Sequence, residues 1–136
     1  MHHTRHDSGL SLLELLIVLT IVAILASVTI PSYRNYVYKS RRSDAITGLL
    51  QLQLAQEAWR ARHGVYSTDL VELGRADERL ADGKYRLRLE SAGPDHWLAV
   101  AIPQGPQRGD PCARLAVDES GPVYGGRFAG RRCWNR

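Results

Sequence analysis

Residues 9–33 read GLSLLELLIVLTIVAILASVTIPSY, and this stretch decides what kind of protein the chain can be. Between residues 10 and 30 the only charged side chain is that of Glu14, and most of the others are Leu, Ile, Val and Ala. As a helix this stretch would be roughly 31 Å long, about the thickness of the hydrocarbon core of a bilayer. The stretch therefore predicts a hydrophobic transmembrane helix over residues 10–30.

Three other interpretations of residues 10–30 compete with this one. A cleaved secretory signal has a shorter apolar region and a small-x-small site, but a cut after Ala26 would place Ile24 at the outer recognition position. A buried core helix is disfavoured because the run is apolar on every face. A plain signal anchor fits the length, but it does not explain a carboxylate, which is costly in a membrane and indicates a functional site.

Glu14 needs a cationic partner, and no Lys or Arg lies within one helical turn of it. Cleavage of the chain just after Gly9 would create a free amine at Leu10, four residues before Glu14. The carboxylate thus points to a precursor that is cut ahead of its apolar run.

These residues resemble a known family pattern. The run GLSLLELLIV, which begins at Gly9, resembles the prepilin signature of type IV pilins and type II secretion pseudopilins, and the similarity continues through AILASVTIPSY at residues 23–33. The resemblance implies that a prepilin peptidase/N-methyltransferase removes residues 1–9 as a leader, cutting between Gly9 and Leu10, and methylates the new amine of Leu10.

The same resemblance assigns Glu14 and Pro31 to filament assembly, in which the N-terminal helices of pilin subunits pack together. This chain departs from the family pattern in two places, having Leu10 where Phe is usual and Ala23 where Gly is common. Gly weakens a helix by ~1 kcal/mol relative to Ala, so we expect this segment to melt less readily.

Basic residues follow the apolar segment at Arg34, Lys39, Arg41 and Arg42, and the positive-inside rule alone would keep them in the cytoplasm. The resemblance implies the opposite orientation: a single pass through the inner membrane with the C-terminal domain in the periplasm. Large domains translocate regardless of charge, so we follow the resemblance. It also implies contact with the inner-membrane pilus assembly machinery and a final location in the extracellular pilus.

Residues 31–63 are predicted to continue the helix as an amphipathic half. Helix periodicity places one apolar face at Ile46, Leu49, Leu50, Leu54 and Ala58. Gly64 is a typical helix stop. A separate helix capped by Ser43 or Asp44 stays open as an alternative.

Residues 64–136 are predicted to hold an αβ-loop, an antiparallel sheet and a disulfide-closed C-terminal region. Residues 85–90 alternate as a half-exposed strand does, and the more apolar residues 97–102 suggest a central strand. Strands at 114–117 and 123–124 would flank a turn at 118–122, and Gly and Pro residues mark a loop at 105–111. The predicted fold is α+β: a long N-terminal helix on a small antiparallel sheet, the type IV pilin fold.

The two cysteines, Cys112 and Cys133, suggest one disulfide in a domain that looks exported, with two reduced buried thiols as the alternative. Their spacing, with no His-Cys cluster nearby, makes a poor zinc site. The resemblance to the disulfide-closed C-terminal region of type IV pilins favours the disulfide.

The C-terminal arginines are candidates for DNA contact, because binding to a phosphate backbone needs only positive charge. These residues are Arg127, Arg131, Arg132 and Arg136. Ordinary solvated arginines are the commoner explanation, and the formal net charge of +4 allows either.

The sequence predicts no metal, no cofactor and no catalytic site. Asp110, Asp118 and Glu119 are weak candidates for calcium because they lack the dense oxygen-ligand spacing of such sites. His63 and His96 have no nucleophile near them in sequence, and Ser67 and Ser120 lie in turns, so an enzyme is not expected.

The function predicted on these grounds is that of a minor pilin supporting pilus biogenesis, twitching motility and adhesion. A type II secretion pseudopilin is the first alternative, which the cysteine pair disfavours. A DNA-binding pilus subunit for DNA uptake is the second.

Overall fold

The computed structural model describes residues 9–135, so that all but the last residue of the predicted leader, and also Arg136, lie outside the described part. One helix, α1, spans Leu12–His63 and contains Pro31 in its interior. It runs without interruption past Ser43 and Asp44, so the alternative of a separate second helix is wrong. Gly64 ends it as predicted: its φ is +78°, and its N–H donates to the carbonyl of Arg60 at 2.7 Å.

The chain divides into two compact units, with the boundary in the sequence between Asn35 and Tyr36. In the first unit the apolar side chains of α1 are exposed; Leu12, for example, has 84% of its surface accessible. This part of α1 is long and apolar enough to span a membrane.

The second unit carries a five-stranded antiparallel sheet whose spatial order is the chain order. Its strands are β1 Arg79–Leu80, β2 Tyr85–Ala92, β3 Trp97–Pro103, β4 Leu115–Asp118 and β5 Gly121–Val123. Two 3₁₀ helices, Gly105–Gly109 and Arg131–Trp134, follow β3 and β5. A long helix with an antiparallel sheet is the α+β fold that the sequence predicts.

Several strand boundaries differ from the prediction. The two-residue β1 was not predicted, and β5 begins at Gly121, inside the predicted turn. The predicted turn had five residues, but only Glu119 and Ser120 connect β4 to β5. The carboxylate of Asp118 accepts the N–H of Ser120 at 2.8 Å, which stabilises this tighter turn.

The core lies between one face of the sheet and the second half of α1. Side chains from β2, β3 and β4 form one cluster with helix residues, and its fully buried members include Tyr85, Leu87, Ala99, Ala101, Leu115, Val117, Leu49 and Leu52. The predicted helix face was partly wrong, since Leu54 is 70% exposed and Ala58 is exposed as well. Gln56, a polar residue, is buried in their place.

Candidate functional sites

The N-terminal segment of α1 combines an exposed apolar surface with one carboxylate. Glu14 lies in the first turn of the helix, where a negative charge is favoured by the exposed N–H groups. Within residues 9–135 no cation lies within salt-bridge distance of it. A cation that pairs with this carboxylate must therefore come from outside this segment.

Four hydroxyl groups of the same segment have partners within the helix. Thr20, Thr29 and Ser32 donate to carbonyls four residues earlier at 2.8, 2.8 and 3.3 Å, and Ser27 donates to the carbonyl of Ile24 at 2.7 Å. Because each donor is satisfied, these groups add little to the cost of placing the helix in an apolar environment. Glu14 is the charged group of residues 9–33, and no counterion for it lies within residues 9–135.

In an α-helix the N–H of residue 31 would donate a hydrogen bond to the carbonyl of Ser27. Pro31 has no N–H, so this hydrogen bond is missing. The helix nevertheless continues on both sides. This leaves one weakened backbone position in the helix, next to the hydroxyls just described.

Cys112 and Cys133 form a disulfide, with a Cα–Cα distance of 5.7 Å and a separation of 21 positions. The bond joins the loop after the first 3₁₀ helix to the second 3₁₀ helix, Arg131–Trp134. The alternative of two reduced thiols is not what the structure contains.

Asp110 is the centre of a buried polar cluster. Its carboxylate accepts from Arg42 Nη1 at 3.0 Å, from Gln107 Nε2 at 3.0 Å and from the backbone N–H of Cys112 at 2.9 Å. The hydroxyl of Tyr85 lies 3.4 Å from the same carboxylate. One side chain therefore joins the helix, the sheet and the disulfide loop.

This cluster also perturbs the titration of Tyr85. Burial raises the pKa of its phenol from 10.0 to about 12, with a further rise from the charge of Asp110 that the hydrogen bond from Gln107 opposes. The phenol consequently stays protonated while it bridges Gln107 and Asp110.

The candidate calcium ligands are not assembled into one site. Asp110 is engaged by Arg42, Asp118 caps the β4–β5 turn, and Glu119 accepts the N–H of Trp97 at 3.2 Å. Within residues 9–135 no group of three metal-ligating side chains is found. The side chains of Ser67 and His63 are likewise in structural contacts, with Glu72 at 2.6 Å and with the ring of Trp59 at 3.8 Å.

The predicted C-terminal basic cluster is partly committed to intramolecular contacts. Arg127 pairs with Glu90 of β2, and the guanidinium of Arg131 lies 5.0 Å from the centre of the Tyr124 ring. Arg132 is exposed, and Arg136 lies outside the described residues.

A second group of arginines, which the sequence did not single out, lies on the outer face of β1 and β2. Arg79 is directly opposite Arg86, and Arg88 follows two positions along β2. The alternation of residues 85–90 places Arg86 and Arg88 on one face of a half-exposed strand, but it does not by itself indicate a binding surface. The pairing of β1 with β2 was needed to bring Arg79 beside the other two.

Comparison with known proteins identifies the class. Residues 4–30 match the family model described as "Prokaryotic N-terminal methylation motif", and residues 31–116 match that described as "Type IV minor pilin ComP, DNA uptake sequence receptor". A solved type IV pilin from Shewanella oneidensis is similar, with a TM-score of 0.53 and 26% identity over 73% of this chain and 99% of that one. The minor pilin PilV of Neisseria meningitidis shares the fold, with a TM-score of 0.52 and 17% identity over 71% of this chain and 97% of that one.

This chain belongs to the type IV pilin family. The major pilin PilA of Myxococcus xanthus is 34% identical over 95% of this chain and 63% of its own length. The major pilin PilE of Neisseria gonorrhoeae is 35% identical over 58% of this chain and 47% of its own length. The chain thus spans roughly half to two thirds of these curated relatives, which are structural subunits rather than enzymes.

Proposed function

We propose that this chain is a minor subunit of a type IV pilus. Residues 1–9 are removed as a leader, residues 10–30 hold the subunit in the inner membrane with its C-terminal domain in the periplasm, and the same helix then enters the filament. The observation that carries this proposal is the exposed apolar surface of α1 with one charged group, Glu14, which has no counterion within residues 9–135. The matched relatives are pilins and fimbrial proteins, which favours a pilus over a secretion pseudofilament.

Glu14 supplies the attraction that orders this assembly. A carboxylate in an apolar environment is costly, and the amine that cleavage creates at Leu10 is its natural counterion. Packed between subunits, the amine of one chain and the carboxylate of another form a strong polar contact among apolar helices. A wrong axial register would leave one charge buried alone, at a cost of ~3–5 kcal/mol.

The partners follow from this route. The prepilin peptidase/N-methyltransferase acts between Gly9 and Leu10, the inner-membrane assembly machinery extracts the subunit, and other pilin subunits receive it through their N-terminal helices. Completed pili carrying this subunit support twitching motility and adhesion.

The test replaces Glu14 and follows the protein from membrane to filament. Glu14→Ala should be cleaved and inserted in the membrane as the wild type is, but should be strongly depleted from sheared filaments. Thr20→Val is the matched control, because it removes a polar group of the same segment that is already bonded to the carbonyl of Leu16. Its level in filaments should equal that of the wild type.

Mass spectrometry of the same fractions tests the processing step. The mature wild type should lack residues 1–9 and carry one additional methyl group on Leu10. An intact Met1, or a mature chain beginning at Ser27, would refute the proposed cleavage, and wild-type amounts of Glu14→Ala in filaments would refute the role of the carboxylate.

DNA binding is a second candidate function. The family model that matches residues 31–116 describes a DNA uptake sequence receptor, and the formal net charge of +4 is compatible with a polyanionic partner. The full mature chain in nonionic detergent should bind duplex DNA with an affinity that falls steeply with salt. Absence of salt-dependent binding would remove this candidate while leaving the filament role intact.

A further inference from the structure

We propose that the DNA contact, which rests on the second candidate function above, is made by Arg79, Arg86 and Arg88 on the outer face of β1 and β2. We call these three residues the arginine row. They would hold the phosphodiester backbone, and the C-terminal arginines that the sequence suggested would contribute less.

The strand register places the three side chains on one surface. Arg79 and Arg86 are direct partners in the β1–β2 ladder, so their Cβ atoms lie about 5 Å apart on the same face. Arg86 and Arg88 flank Leu87, which is fully buried in the core, so they point away from it. Two residues along a strand span about 6.8 Å. Arginine side chains at this spacing can contact separate phosphates of one DNA backbone.

The arrangement is unfavourable for the isolated fold. Like charges directly opposite each other in a sheet destabilise it. Within residues 9–135 no carboxylate lies within salt-bridge distance of the arginine row, whereas Arg42 and Arg127 each have one. A local arrangement that lowers the stability of the fold and is not compensated by other contacts is typical of a binding surface.

Two of the carboxylates near the row already have hydrogen-bond partners. Glu90, the next acidic residue along β2, is paired with Arg127, which removes a charge that would repel phosphate. At the other end, one carboxylate oxygen of Asp77 accepts the backbone N–H of Arg79 at 3.1 Å. Glu78 lines one depression with Arg79 and Arg86, Asp69 and Glu78 line another with Arg88, and Asp82 lies in the turn between β1 and β2. The two strands themselves carry a positive excess, with three arginines against the single carboxylate of Glu90, which is paired with Arg127.

Contacts of this kind position a duplex rather than read its bases. Each neutralised phosphate contributes about 0.9 to the slope of log affinity against log salt for duplex DNA. Loss of the whole row should lower the magnitude of that slope by about 2.7 if each arginine meets one phosphate.

The experiment compares two variants with the same change in charge. The row variant carries Arg79→Gln, Arg86→Gln and Arg88→Gln. The control variant carries Arg108→Gln, Arg131→Gln and Arg132→Gln, all at exposed positions. Full mature chains in nonionic detergent are titrated with duplex DNA at several salt concentrations, and thermal unfolding of each is recorded by circular dichroism.

We expect the row variant to bind more weakly with a reduced salt slope, and the control to keep most of the wild-type affinity and slope. The melting temperature of the row variant should equal or exceed that of the wild type, because a like-charge pair is removed, so weaker binding would not reflect misfolding. Equal losses in both variants would overturn the arginine row but leave DNA binding in place. No binding by the wild type would overturn both. Stronger row-dependent binding of heparin than of DNA would assign the row to a different polyanion and overturn the proposal.

Discussion

At the scale of single residues, Asp110 shows how much a side chain depends on partners far away in sequence. Arg42 and Tyr85 reach it from 68 and 25 positions away. The sequence shows that Asp110 is charged, but it does not show that Arg42 pairs with it. Without that ion pair, Asp110 is a reasonable candidate for a metal ligand. Glu14, by contrast, could be recognised from the sequence because its surroundings are set by the residues beside it on one helix.

Tyr85 gives this buried cluster a measurable pH dependence. Between pH 10 and pH 12 the unfolded chain loses the tyrosine proton while the folded chain keeps it, because burial raises the pKa of Tyr85 to about 12. The free energy of unfolding should therefore fall with rising pH by up to about 1.4 kcal/mol per unit from this group alone. In Tyr85→Phe, which cannot titrate there, this part of the fall should vanish.

The measurement is chemical unfolding of wild type and Tyr85→Phe at a series of pH values from 8 to 11.5. Tyr36→Phe, at a side chain that is 72% exposed, serves as the control and should decline in parallel with the wild type. If Tyr85→Phe loses stability with pH as steeply as the wild type, the buried phenol is not the group responsible.

At the scale of elements, α1 buries a polar side chain because a loop supplies both of its partners. Gln56 Nε2 donates to the carbonyl of Ser67 at 2.9 Å, and Gln56 Oε1 accepts the N–H of Ser67 at 3.0 Å. Sequence periodicity assigns polar residues to the outside, so it preferred Leu54 and Ala58 for the buried face. The helix and its length could be predicted locally, but the rotation of its face depends on this contact with the αβ-loop.

Removal of the amide should release that loop from the helix. In Gln56→Ala the buried N–H and C=O of Ser67 lose their partners, and each unsatisfied group costs ~1–3 kcal/mol. Hydrogen exchange should then accelerate at the amides of Ser67 and Asp69 more than in the sheet. Gln51→Ala, at an exposed position of the same helix, should leave exchange unchanged. Wild-type protection at Ser67 in Gln56→Ala would show that the amide pair does not hold the loop.

The sheet shows a different limit of sequence reasoning. β2 and β3 could be predicted from their own patterns, since each is long enough to display alternation or continuous burial. β1 has only two residues, so nothing in its sequence separates it from a loop, and its position depends on pairing with β2. The arginine row could not be predicted either, because Arg79 lies on β1 and is placed beside Arg86 only by the pairing of β1 with β2.

At the scale of the whole molecule, the disulfide is expected to contribute strongly to the stability of a small fold. Closing a loop of 21 positions stabilises by about 3 kcal/mol in the chain-entropy description. The double variant Cys112→Ser, Cys133→Ser should therefore melt roughly 10–20 °C below the wild type. Reduction of the wild type should reproduce that loss, and reductant should not affect the variant. Equal melting temperatures, or free thiols in protein isolated from the periplasm, would contradict this role.

The chain-order arrangement of the sheet has a consequence for how the protein is made. Every strand pairs with the one that follows it, so a chain delivered from its N-terminus can add β2 to β1, β3 to β2 and so on as each strand emerges. Contacts that are short in sequence form quickly, and an edge that is soon covered has little time to pair with another chain. The bond from Cys133 back to Cys112 then needs only the last segment to arrive. The sheet can thus form in the same direction as synthesis, because each strand pairs with a strand that is its neighbour in sequence.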